Sequence, residues 1–271
     1  GGGAPVDPDR ELGAVRMLLY SYATCCFVAA TCVWFFGPDS KAKGHQAEKG
    51  RSTGKANVLR RLALVLQSPA VWLQAIVIIA AYSTFKMFDN YGLYSEDAYG
   101  LTRTESAQVT AYLSFLRAIA ALAAGWIADR MLGVSPSIQL CFGLLIASYA
   151  TFIFVPPSRD LFWLMTINMV VSCSAFFALR GIYFALLEES RTPRHLTGTA
   201  VGVICFVGFT PEIFMPPLTG WLIRDARSAG NVLVGYNRIY WILIALSFLG
   251  LLAAAGLRWL GSKQPLKESG D

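Results

Sequence analysis

Seven long apolar stretches, at residues 12–36, 70–93, 106–128, 136–155, 161–187, 197–223 and 238–260, constrain this chain more than any other feature. Each is within or above the roughly 17 to 25 residues an α-helix needs to cross bilayer hydrocarbon. No water reaches that depth, so every backbone N–H and C=O must be satisfied within the segment, and each stretch is expected to be helical. Of the 271 residues only 15% are charged and 55% are hydrophobic, with a mean hydropathy of +0.49. Soluble proteins carry about 25% charged residues. The expected fold class is all-α and integral to the membrane, with seven transmembrane helices and no separate soluble domain.

A net charge of +6 in a soluble chain would raise nucleic-acid binding. Its distribution excludes that partner. Lys41, Lys43, Lys49, Arg51, Lys55, Arg60 and Arg61 crowd into segment 37–69, which positive-inside bias places in the cytoplasm. Alternation adds Arg130, Arg191, Arg194, Arg258, Lys263 and Lys267 to that side and leaves Arg10, Arg103, Arg159, Arg224, Arg227 and Arg238 outside. The expected orientation is amino terminus out and carboxyl terminus in. Segment 37–69 reads as a flexible basic linker, 90–106 and 224–237 as outer segments, and 261–271 as a cytoplasmic tail. The opening GGGAPVDPDREL, with neither an initiator Met nor a signal peptide, reads as an outer loop of a longer chain.

All six cysteines lie inside apolar stretches, so neither a disulfide framework nor a metal-ligand spacing is expected. His45 and His195 fall in loops, no serine or aspartate has nucleophile–base spacing, and no glycine-rich phosphate loop follows a strand. These absences imply no enzyme, no cofactor and no metal.

The second and fifth stretches begin 91 residues apart, as do the third and sixth. Two three-helix units are therefore expected, and an odd number of spans per unit makes the copies inverted. Ionisable side chains at membrane depth cost several kcal/mol unless partnered or hydrated, so they mark a functional interior. They are Lys86, Asp89, Arg117, Arg180 and Glu212, on the second, third, fifth and sixth stretches. The fourth and seventh, without such residues, are expected to face lipid. Displacing Lys86 and Arg117 by 91 lands within about one turn of Arg180 and Glu212. Two alternatives stay open: snorkelling from helix ends, and internal pairing of Lys86 with Asp89 at i, i+3. Pro211, Pro216 and Pro217 around Glu212 predict a bent, cavity-lining helix, and Glu212 could instead cap the backbone groups the prolines free.

The third stretch ends in Gly125-Trp126-Ile127-Ala128-Asp129-Arg130-Met131-Leu132-Gly133. An acidic residue there opposes the helix macrodipole and calls for a positive partner. The segment resembles the loop motif Gly-x-x-x-Asp-Arg-x-Gly of the major facilitator superfamily. Gly125, Asp129 and Arg130 match in place, while Gly133 falls one residue late and the trailing basic cluster is absent. LRGIYFALLEES (179–190) and the stretch at 197–223 are similar to a poorly assigned bacterial branch near the organic-anion porters.

The resemblance implies the carboxyl-terminal half of such a transporter. Residues 1–36 become an outer loop and the last helix of a missing amino-terminal half, 37–69 the central cytoplasmic linker, and 70–260 a six-helix transport domain of two inverted three-helix repeats. It implies a bacterial inner-membrane protein moving a small solute, expected to be anionic, by alternating access, with a proton or counter-substrate. Lys86, Arg117 and Arg180 would bind the anion, Glu212 and Asp89 would couple protons, and Gly125, Asp129 and Arg130 would form a cytoplasmic gate with Glu188, Glu189, Arg191 and Arg194. Two alternatives are weaker. A seven-helix receptor also has an outer amino terminus, but the first inner loop exceeds thirty residues and the last stretch lacks Asn-Pro-x-x-Tyr. A non-transporting membrane interaction fragment is the other.

Overall fold

A computed structural model describes residues 8–36, 55–186 and 196–263. They divide into two compact units, within 1–54 and 55–271. The first holds helix α1 (Pro8–Phe36), which includes the apolar stretch Leu19–Cys32. Inside it Thr24 and Thr31 return their hydroxyls to the carbonyls of Tyr20 and Phe27, each at 2.7 Å, as a hydroxyl in an apolar helix must.

The second unit contains α2 (Lys55–Leu66), α3 (Pro69–Lys86), α4 (Phe88–Tyr99), α5 (Arg103–Ile127), α6 (Val134–Phe154), α7 (Phe162–Ile182), α8 (Thr197–Gly208), α9 (Pro211–Ser228) and α10 (Val232–Lys263). Among the described residues, six helical segments are long and apolar enough to cross a membrane: Pro69–Tyr99, Arg103–Leu132, Val134–Phe154, Arg159–Ala185, Thr197–Ser228 and Val232–Gly261. The expected count was seven. The remaining expected stretch, 12–36, falls in α1, of whose side chains only part lies within the described residues.

Two expected loops are helical. The segment at 90–106 continues as α4 and reverses only at Gly100, which caps α4 at φ +66° with its N–H on Glu96 O. Left-handed backbone at a helix end suits glycine. Thr102 and Glu105 then start α5 with a capping box. The segment at 224–237 is likewise helix on both sides of a turn at Gly230 (φ +85°). The second part of the expected linker, Lys55–Leu66, is a helix too, while 37–54 lies outside the described residues.

Two spans are irregular. The first is only tightened, at Met87 between α3 and α4, where the backbone stays helical (φ −66°, ψ −25°) and the Met87 N–H bonds Thr84 O at 3.1 Å. The fifth breaks at Phe209–Thr210, ahead of Pro211. Pro211 has no N–H to give the Val207 carbonyl, which accepts instead from the Thr210 N–H at 3.2 Å and the Thr210 hydroxyl at 2.7 Å. Pro216 and Pro217 lie within α9 without ending it, and Thr219 Oγ1 donates to Pro216 O at 3.2 Å.

The helices pair reciprocally: α3 packs on α8, α9 and α10, α7 on α5 and α6, and α6 on α10. Gly250 of α10 makes the central junction possible, since a Cβ there would lie 2.5 Å from Phe142 and 2.7 Å from Ala80. Nearly three turns away along α10, Tyr240 belongs to a second buried group with Tyr91, Tyr94, Tyr149, Tyr236 and Phe152, with Phe152 stacked on Tyr240 at 4.9 Å. The two spans without internal charge, α6 and α10, bury one face against each other, with α6 also on α7 and α10 also on α3 and α9. They expose Leu140, Leu144, Trp241 and Phe248 on the other. The spans with Arg117 and Glu212 bury least, 22% and 28% of their apolar windows.

Candidate functional site

Three of the charged residues sit beside the two irregular points, Met87 between α3 and α4 and Phe209–Thr210 between α8 and α9. Lys86 occupies the last turn of α3, Asp89 the first turn of α4 and Glu212 the first turn of α9. At the start of α9 the macrodipole favours the Glu212 carboxylate. The three also satisfy one another. Lys86 Nζ lies 2.6 Å from Asp89 Oδ2 and 3.3 Å from Glu212 Oε1. Tyr82, one turn before Lys86, donates its hydroxyl to Glu212 Oε2 at 2.6 Å. The Lys86 side chain is 13% exposed, whereas both carboxylates are 54% exposed.

The arginines approach the same place from two other helices. Arg180, in the last turn of α7, stacks over Phe85 at 4.4 Å and Tyr82 at 5.6 Å. Arg117 of α5 lies 5.3 Å from the Phe177 centroid and 6.0 Å from that of Phe85. Both are exposed, and neither has an ion-pair partner among the described residues. Guanidinium planes favour aromatic faces, so the rings hold the arginines without consuming their N–H donors.

All five membrane-depth charges thus meet around Tyr82 and Phe85. The pairing of Lys86 with Asp89, left open on sequence grounds, is present, and Glu212 joins it from another helix. Among the described residues the Glu212 carboxylate bonds the side chains of Tyr82 and Lys86 and no backbone group. Tyr82, Phe85 and Phe177 went unrecognised because aromatic residues in an apolar stretch look like packing. Helical spacing was the available signal, since Tyr82, Lys86 and Asp89 at i, i+4 and i+7 share a face.

A second polar cluster also escaped the sequence reading. Arg227 Nη2 reaches both Asp97 oxygens, at 2.8 and 2.7 Å, and Tyr236 OH donates to Asp97 Oδ2 at 2.8 Å. It ties the end of α4 to the end of α9 and the start of α10. Arg238 and Asp225 pair nearby at 2.9 Å.

The motif residues stand apart from this site. Gly125 is on α5, and Asp129 and Arg130 lie exposed on a π-turn, Ala128–Leu132, closed by Gly133 N–H on Ala128 O at 3.0 Å. A π-turn takes up one residue more than an α-turn, and this sequence has one residue more than the motif before its glycine. Asp129 has no ion pair among the described residues. Glu188, Glu189, Arg191 and Arg194, the expected local contributors, lie outside the described residues, as do His45 and His195.

Comparison with known proteins bears on this arrangement. The Major Facilitator Superfamily profile matches residues 11–216. The chain is 24% identical over 220 residues to inner membrane protein YqcE of Escherichia coli (strain K12), covering 79% of this chain and 50% of that protein. It is 23% identical over 239 residues to inner membrane protein YihN of the same organism, covering 85% and 54%. It spans about half the length of these relatives. No solved structure matches. With a profile covering most of its length and six helical segments long and apolar enough to cross a membrane, this multi-pass membrane chain belongs to the Major Facilitator Superfamily, a family of transporters rather than enzymes.

Proposed function

We propose that the chain is the carboxyl-terminal half of a secondary transporter in a bacterial inner membrane, moving a small organic anion by alternating access. The observation that carries this reading is the pair Arg117 and Arg180. Two guanidiniums from different helices share the Phe85 ring, are exposed, and keep their donors free. Paired guanidiniums match carboxylate, phosphate or sulfonate oxygens. Lys86, by contrast, is held between two carboxylates, so its role is to set the charge and position of Glu212. The reciprocal packing of α3–α6 and α7–α10 supports two inverted three-helix repeats. The sparse burial of the spans with Arg117 and Glu212 fits a face closed by a preceding six-helix half across a substrate cavity. The basic residues before α3 favour a cytoplasmic linker, amino terminus out and carboxyl terminus in.

Glu212 is the coupling group in this scheme. Protonation would release Lys86 and let the α9 end move relative to α3, which joins proton or counter-substrate movement to the access change. Asp129 and Arg130 latch the cytoplasmic side. The test is uptake into proteoliposomes of the full-length protein against a panel of small carboxylates, phosphates, sulfonates and neutral sugars. Arg117→Lys keeps the charge but loses the planar fork, and should weaken the anion that binds. Uptake of a neutral sugar only, or an unchanged anion affinity in Arg117→Lys, would refute the reading.

A further inference from the structure

Helix α2 carries more chemistry than a connector requires. Lys55–Leu66 holds three basic residues and no acidic one, and its faces are distinct. Val65 is buried in the core, with Arg61 and Leu62 half-buried beside it, on the side that meets α3 and α8. Leu59, Ala63 and Leu66, at i, i+4 and i+7, form a second, exposed face, and Leu59 is 65% exposed. Arg60 is exposed alongside it.

Two features set the level of this helix. Ser68 is extended (φ −79°, ψ 116°), so the chain turns before α3 and α2 does not prolong the span. The indole Nε1 of Trp72, in the first turn of α3, donates to Leu66 O at 2.8 Å. Tryptophan favours the zone where hydrocarbon meets headgroups, because its ring is apolar and its N–H polar. The end of α2 is therefore pinned where a membrane-crossing helix begins. An apolar face, a basic flank and no acid, held at that level, match helices that lie in the surface of anionic bilayers.

We propose that α2 is an interfacial helix that buries Leu59, Ala63 and Leu66 among acyl chains and binds anionic phospholipid headgroups through Arg60. The occupant of the exposed apolar face is then lipid, and lipid charge sets how firmly the segment before α3 is held to the membrane.

The experiment uses the full-length protein in vesicles of phosphatidylcholine, with or without phosphatidylglycerol. A nitroxide-bearing side chain replaces Leu59, an exposed position whose alteration leaves the core intact. Collision rates with oxygen and with a water-soluble nickel chelate report its depth. The label is expected to meet oxygen in preference to the chelate, more so with phosphatidylglycerol. Arg60→Gln should reduce that lipid-charge dependence about fivefold, the effect of one basic residue at such a surface. Free access of the chelate to position 59 would overturn the proposal, as would shielding from both reagents, which would mean that protein covers the face. Equal depth with and without phosphatidylglycerol would overturn headgroup recognition.

Discussion

Replacing Lys86 with Met should destabilise the protein more than replacing Glu212 with Gln, and combining the two should recover much of the difference. Asp89 and Glu212 contact one ammonium at 2.6 and 3.3 Å, so their oxygens are at most about 6 Å apart, where two unit charges at an effective dielectric near 20 repel by about 3 kcal/mol. Each carboxylate side chain is 54% exposed, and solvent screening brings that down to about 1 kcal/mol. Lys86→Met leaves this repulsion uncompensated. Glu212→Gln leaves Lys86 paired with Asp89, and glutamine can still accept from the Tyr82 hydroxyl, so its cost should be a few tenths of a kcal/mol. The double variant retains one carboxylate and no repulsion. The check is thermal unfolding of the four proteins in detergent, read as a double-mutant cycle. Equal destabilisation by the two single changes, with simple additivity in the double, would show that the lysine does not hold the carboxylates and would refute the cluster's electrostatic logic.

Glu212→Gln should also abolish pH-driven accumulation of the substrate while sparing substrate exchange, measured in proteoliposomes; loss of both together would exclude a coupling role. Gly250→Val places a side chain against Phe142 and Ala80, so overpacking should cost about 1–3 kcal/mol, visible as a lowered Tm. Asp97→Ala strands the hydroxyl of Tyr236, a side chain 0% exposed, at a cost of about 1–3 kcal/mol; adding Tyr236→Phe should return part of it, and no recovery would mean that the Arg227 pair carries the stability. Asp129→Asn should shift the transporter toward the inward-open state, read as spin-label distances across the cytoplasmic face in the full-length protein.

What the sequence made legible follows from what a bilayer penalises. Apolar stretches located all six spans of the second unit, because nothing else satisfies the backbone in hydrocarbon. Their ends were misplaced where polar helix runs on past the apolar part. FDNYGLYSEDAY forms α4, yet its hydropathy resembles a loop, and the Asp97 cluster stayed hidden with it. The same cost made Lys86, Asp89, Arg117, Arg180 and Glu212 conspicuous one at a time. Their grouping was not readable, because it depends on tertiary contacts 126 residues apart, as in Lys86 with Glu212. The late glycine of the motif is the opposite case: a mismatch of one residue in the sequence has its counterpart in a π-turn at Ala128–Leu132.

The interruption ahead of Pro211 explains the position of Glu212. It gives the carboxylate a helix amino end, where the dipole and the bonds to Tyr82 and Lys86 favour the same arrangement. The backbone stays helical through Met87 (φ −66°, ψ −25°), so Lys86 rests on its side-chain partners, Asp89 and Glu212. Lys86, Asp89 and Glu212 carry one positive and two negative charges, so the positive excess of the site rests on Arg117 and Arg180. Those two are held by rings rather than by counter-ions. A ring lends a cation about 0.5–1 kcal/mol at an exposed site and leaves its N–H donors unused, so an incoming anion need not displace a carboxylate to bind. A site held together by internal salt bridges alone would impose that displacement on every ligand.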